Sequence, residues 1–132
     1  MTHEQEILWL AGLLEGEATF AYRKGHGIYI SLAMTDEDIV KRVANIWGIK
    51  SIRKVTPKHT NWSDFYVVRI FGDKAVSIMK QILPFMGMRR SAKIEEVLNL
   101  WVTRRTASEA AIRARARGKR CPKTANLFVV AS

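Results

Sequence analysis

Residues 9–20 read WLAGLLEGEATF. An apolar, helix-like run ends there in two carboxylates, Glu15 and Glu17, with one glycine between them. Anions sit badly at a helix C-terminus, where the macrodipole already concentrates partial negative charge. No cation lies within the stretch to offset them. The run also places Ala11, Gly12 and Gly16 at helical spacing. Packing on a core through Leu10, Leu13 and Leu14 does not explain the glycines, each of which costs roughly 1 kcal/mol relative to alanine inside a helix.

Outward from this run the elements follow from periodicity. The first helix is predicted from about His3 to Glu15, with Thr2 as N-cap and Glu4 and Glu6 in the first turn. The period then changes to two. Phe20 and Tyr22, and after the Gly25-His26-Gly27 turn Ile28, Ile30, Leu32 and Met34, form the apolar face of a hairpin. Thr35-Asp36-Glu37-Asp38 reads as a capping box that opens a second helix ending near Gly48. A second hairpin has the arms IKSIRKVT (49–56) and DFYVVRIF (64–71), around a polar loop with Pro57, Lys58, His59, Asn61 and Trp62. A third helix runs from about Asp73 to Leu83 and stops at Pro84. A fourth begins near Arg89. The fold class is α+β, in the order αββαββα with a C-terminal helix and a basic tail.

At 132 residues the chain is expected to hold one domain over 1–105 and a basic arm over 106–132. Its 22 Lys and Arg against 12 Asp and Glu give a net charge of +10, which points to a polyanionic partner, nucleic acid first and an anionic membrane second. From Thr103 onward Glu109 is the sole acid, so the arm is expected to order on a partner or, alternatively, to aid solubility. The lone Cys121 excludes an intramolecular disulfide and a cysteine zinc cluster, in keeping with a reducing compartment. His3, His26 and His59 lack metal-site spacing. The apolar run Ile7–Leu14 is far short of the ~20 residues that span a bilayer. The expectation is a soluble, intracellular, DNA-associated protein with no membrane partner.

The nonapeptide Leu10-Ala11-Gly12-Leu13-Leu14-Glu15-Gly16-Glu17-Ala18 resembles the signature of the LAGLIDADG homing endonucleases. The likeness extends over about residues 5–102, through the first hairpin, the MTDED helix start, the second hairpin and the LPF segment before a basic helix start. It implies a saddle with a curved antiparallel sheet, and an intron-encoded, site-specific endonuclease acting on double-stranded DNA. A single motif implies a homodimer in which two signature helices pack through Leu10, Ala11, Gly12, Glu15 and Gly16. By the motif match Glu17 is the metal-binding acid, for Mg²⁺ or alternatively Mn²⁺, and it is Glu where the family most often shows Asp. Glu15 matches the acid near the helix junction, and Ala18 replaces the usual final glycine. Asp36 matches a position that orients active-site water, although the start of the second helix explains it equally well. Arg89 stands where the family usually has a basic residue near the scissile phosphate. Arg90 and Lys93 are alternates, or anchor phosphates.

Strand parity then predicts the DNA-reading face. With Phe20, Tyr22, Ile28, Ile30, Leu32, Met34 and Ile52 turned to the core, the opposite face carries Thr19, Arg23, Tyr29, Ser31, Ser51 and Arg53. Tyr66 and Asp64 are expected to extend it, with Lys54, Lys58 and His59 on phosphates at the periphery. Two rival classes remain at this stage. One is a non-cleaving binder of DNA or intron RNA with the same fold, such as a splicing maturase. The other is a purely structural dimerisation module.

Overall fold

A computed structural model describes residues 1–58 and 61–116. The element order is α1 (His3–Glu17), β1 (Ala18–Arg23), β2 (Gly27–Met34), α2 (Glu37–Trp47), β3 (Arg53–Val55), β4 (Phe65–Phe71), α3 (Gly72–Ile82), a 3₁₀ turn (Leu83–Phe85) and α4 (Met88–Ala116). The four strands form one antiparallel sheet in the order β1-β2-β4-β3. The helices pack on one of its faces.

The core lies between that face and the helices. Ala18, Phe20, Ile28, Ile30, Leu32, Val68 and Ile70 meet Val40, Val43, Ala44 and Trp47 of α2, Ala75, Val76, Met79 and Ile82 of α3, and Ile94 and Val97 of α4. From α1 the stripe Ile7, Leu10, Ala11 and Leu14 joins them at the three- and four-residue spacing of a helix face. The expectation that Leu10 and Ala11 lie in a dimer interface is therefore corrected: they are 0% and 3% exposed inside their own chain.

The N-terminus of α1 is built as expected. The Thr2 side chain accepts the Gln5 N–H, and the Gln5 side chain accepts the Thr2 N–H, a full capping box. The expected box at α2 is not formed. Asp36 is the N-cap and its side chain makes no capping bond, while Glu37 and Asp38 occupy the first turn. At the other end Gly48 takes φ 74°, and the N–H groups of Gly48 and Ile49 return to the carbonyls of Asn45 and Ala44. Spending the Ile49 N–H on that closure delays the next strand. β3 is thus only Arg53–Val55, and Ser51 lies before it in irregular, exposed chain.

The expected boundary at 105/106 falls inside α4, which continues to Ala116. Alanine and arginine are strong helix formers, and Arg105 pairs with Glu109 one turn on at 3.4 Å. The remainder of the expected arm, from 117 to 132, lies outside the described residues. So does His59. Among the described residues no helix is long and apolar enough to cross a membrane.

Candidate active site and nucleic-acid interface

α1 passes into β1 with no residue between them: Glu17 ends the helix and Ala18 begins the strand. Ala18 is extended, at φ −89° and ψ 157°, with its methyl group in the core. That backbone needs no glycine, so the departure of Ala18 from the signature has a packing reason.

The carbonyl end of α1 is met by a cation brought from 75 residues along the chain. Arg90 Nε donates to the Glu15 carbonyl at 2.8 Å. Its Nη1 donates to the Ala18 carbonyl at 2.7 Å, and the guanidinium lies 5.8 Å from the centre of the Phe20 ring. A cation at a helix C-terminus is favoured by the dipole and by the free carbonyls alike. The expectation that Arg90 contacts DNA is corrected on this ground: it is half-buried, with two of its donors committed to backbone.

Glu15 is half-buried beside it. Its carboxylate accepts the Gly87 N–H at 3.3 Å. A Cβ at Gly87 would stand 2.7 Å from Glu15 Oε1, so glycine permits the close approach. Ser91 Oγ donates to the Met86 carbonyl, fixing the turn into α4. These bonds tie the start of α4 to the end of α1.

Glu17 differs from Glu15. It is exposed, and its carboxylate makes no hydrogen bond or ion pair with a described residue. Sheet register brings other candidates to the same end. Ala18 pairs with Leu32, so Asp36, just past the end of β2, lies at the end of the sheet where β1 begins. Arg89 is adjacent in sequence to the Arg90 anchored there, and it is exposed, as is Lys93, which lies 3.5 Å from Glu96. Among the described residues no three His, Cys, Asp or Glu cluster in one chain. A hard divalent cation takes carboxylate oxygens and water, and the helix C-terminus favours positive charge. Glu17 thus fits such an ion as one oxygen ligand.

The helix-free face of the sheet carries the row Thr19, Ser31 and Arg69, with Arg69 Nε donating to Ser31 Oγ at 3.3 Å. Next to it lie Ala21, Tyr29 and Phe71, the two rings 5.7 Å apart, and then Ala33, Val67 and Arg53. Arg23 closes the row at the end of β1. Parity therefore places Thr19, Arg23, Tyr29, Ser31 and Arg53 as expected.

It does not place Tyr66 or Asp64 there. Tyr66 pairs with Met34 and Lys54 and packs toward the core, so these three share the helix side. Lys41 first, 2.8 Å from Glu37 of α2, and then Tyr66 hold the Glu37 carboxyl below the usual range. Asp64 is 3.4 Å from Lys54, which turns that lysine away from the open face. The residues missed on the fourth strand are Arg69 and Phe71. The alternation of Val68 and Ile70 with Arg69 carried the signal, one residue out of step with the choice of Tyr66.

On α1 the core stripe leaves Gln5, Trp9, Gly12 and Gly16 on the far side. A Cβ added at Gly12 or Gly16 would meet nothing within 4 Å, so nothing in the described chain requires these glycines. Leu8 flanks them at 53% exposure, and Trp9 is covered by the Arg42 guanidinium at 4.0 Å.

The same arrangement of elements occurs in solved homing endonucleases. I-CvuI, in complex with the I-CreI target, shares 18% identity over 96% of this chain and 83% of its own, with a TM-score of 0.50. The group I intron-encoded I-CeuI, complexed with DNA, gives a TM-score of 0.59 at 14% identity, over 86% of this chain and 62% of its own. I-TnaI gives 0.50 at 15%, over 95% and 96%. At such identities the likeness is one of fold. No curated protein matches the sequence. The family profile described as a LAGLIDADG-like domain matches residues 4–83, more than half of the sequence, and the chain belongs to the LAGLIDADG family.

Proposed function

We propose that the chain is a site-specific double-strand DNA endonuclease, working as a homodimer on a long, partly palindromic site with Mg²⁺ or Mn²⁺. The observation that carries this reading is the Glu17 carboxylate, without a partner among the described residues, at the end of a helix whose far side presents bare glycines. One acid per chain is a poor metal site, whereas two helices meeting at a two-fold axis bring two acids together. The glycines permit close helix approach, by the same geometry that small residues provide in membrane helix pairs.

Thr19 lies two residues after Glu17, so the open face of the sheet begins beside that carboxylate. Arg23, Arg53, Arg69, Ser31, Thr19 and Tyr29 supply donors for phosphates and base edges in a major groove. A bound divalent ion supplies charge neutralisation at the phosphate and a more acidic water. Glu17 holds it through carboxylate oxygen. Asp36 orients water. Arg89 screens phosphate charge and is no general base, because a guanidinium keeps its proton. Hydrolysis adds the water oxygen to phosphorus and breaks one P–O ester bond on each strand.

Glu17→Gln removes the anionic ligand at constant size. The expected result is near-normal binding to a selected DNA site and no cleavage in Mg²⁺. Cleavage at the wild-type rate would show that Glu17 is not the ligand. Tight binding by a wild-type protein that never cuts, or preference for intron RNA, would favour the non-cleaving reading.

A further inference from the structure

Glu17 stands at a weak place in the backbone. α1 ends on it, the last carbonyls of a helix have no intrahelical partner, and Gly16 before it has no side chain to restrict it. The Ala18 N–H returns to the Leu14 carbonyl. The next bond of the ladder would bring the Thr19 N–H to the Glu15 carbonyl, but Thr19 has already entered β1. A carboxylate on such a backbone swings with it.

Arg90 supplies the missing partner. Its Nε donates to the Glu15 carbonyl at 2.8 Å and its Nη1 to the Ala18 carbonyl at 2.7 Å, so the two bonds bracket Gly16 and Glu17. The planar fork is itself held, half-buried beside the Phe20 ring. Two carboxylates belong to the same short stretch, yet these bonds go to backbone. The Glu15 carboxylate takes the Gly87 N–H, and that of Glu17 has no partner among the described residues. A guanidinium paired with Glu17 would neutralise a metal ligand. One bonded to the flanking carbonyls fixes the ligand's backbone and leaves its oxygens open.

We propose that Arg90 is a positioning residue for cleavage: by bridging the Glu15 and Ala18 carbonyls it aims the Glu17 carboxylate at a divalent cation, without touching metal or DNA itself. The inference rests on the endonuclease reading and adds a residue to its machinery. Arg89 is the neighbour of Arg90 in α4, so one guanidinium places both the ligand and the cation assigned to the phosphate. Removing a group that orients a metal ligand costs about 10–100-fold in metal affinity or activity.

The test begins without metal or DNA. In ¹⁵N relaxation of the full chain, the Gly16 and Glu17 amides should have order parameters of about 0.85 in the wild type, falling toward about 0.6 in Arg90→Met. Leu10, in the same helix, should not change. Single-turnover cleavage of a selected DNA site over a Mg²⁺ series follows, at a temperature where every variant is folded. The Mg²⁺ concentration for half-maximal rate should rise about 10–100-fold in Arg90→Met, with metal-free DNA affinity unchanged. Arg90→Lys keeps the charge but not the fork, and should remain defective. Val43→Ala opens a cavity in the core at α2, lowers stability and should leave the Mg²⁺ midpoint where it is.

A wild-type chain that cuts, while Arg90→Met keeps either the order of Glu17 or the wild-type midpoint, overturns the positioning role alone. So does an equal shift in Val43→Ala, which makes the defect one of stability, or full rescue by Arg90→Lys, which makes it one of charge. A wild-type chain that does not cut in Mg²⁺ or Mn²⁺ overturns the endonuclease reading, and this role with it, whatever the relaxation shows.

Discussion

Replacing Arg90 with methionine separates its observed role from the one the sequence proposed. Methionine keeps an apolar stem beside Phe20 and removes only the guanidinium. Two charge-assisted bonds of 2.8 and 2.7 Å are then lost, and the carbonyls of Glu15 and Ala18 lose their partner. Hydrogen bonds to charged groups contribute about 1.5–3 kcal/mol each. The two share one guanidinium, and the site is half-buried, so water recovers part of the loss. The expected destabilisation is about 2–4 kcal/mol in urea unfolding, with unchanged m-value. Each kcal/mol corresponds to a fall in melting temperature of roughly 4 °C in a domain of this size. The companion assay is the salt dependence of DNA affinity. A side chain that contacts phosphate contributes close to one unit of slope in log K against log salt. Arg90→Met should leave that slope unchanged when both proteins are folded. Unchanged stability together with a slope smaller by about one unit would refute the reasoning and return Arg90 to the DNA.

The same salt series discriminates across the sheet: Arg53→Gln and Arg69→Gln should each lower the slope by about one unit, whereas Lys54→Gln, on the opposite side beside Asp64, should not. The Glu37 carboxyl should titrate below an ordinary glutamate in carbon-detected NMR; Lys41→Met should move it back up the most and Tyr66→Phe less. The sign follows from a depressed folded value: the small stabilisation is present at neutral pH and fades as the pH falls through that value. A Glu37 that titrates normally, or one insensitive to Lys41, would disprove the contact.

The sequence carried the elements that have strong local signals. Thr2, the alternation from Ile28 to Met34, and Gly48 each constrain the backbone within a few residues, and each was legible. Two kinds of information were not. The first is partnership at long range: WLAGLLEGEATF contains no cation, and nothing local shows that Arg90 will arrive from the far end of the fold. The second is phase. On β4 a shift of one residue exchanges the faces, and the aromatic Tyr66 drew the choice away from Arg69. Composition alone could not separate Leu10 and Ala11 from Gly12 and Gly16 either, since all four read as interface on a helix that is apolar nearly all round. The three- and four-residue spacing of Ile7, Leu10, Ala11 and Leu14 settles which side is core. Arg113 and Arg115 belong by charge to a basic arm, while the alanines around them favour helix, and α4 runs on to Ala116.

The direct passage of α1 into β1 constrains how such a protein can change. A loop between Glu17 and Ala18 would let the Glu17 carboxylate and β1 drift independently, and there is none. One inserted residue there would invert every side chain of β1. It would also displace the strand by about 3.3 Å, close to the 3.4 Å step between stacked bases. On the proposed function, the middle of a recognition site is locked to the chemistry by a single peptide bond. New sequence preferences have freedom to grow only at the distant tips, around Gly25 and in the loop before Phe65, where added residues leave the centre undisturbed.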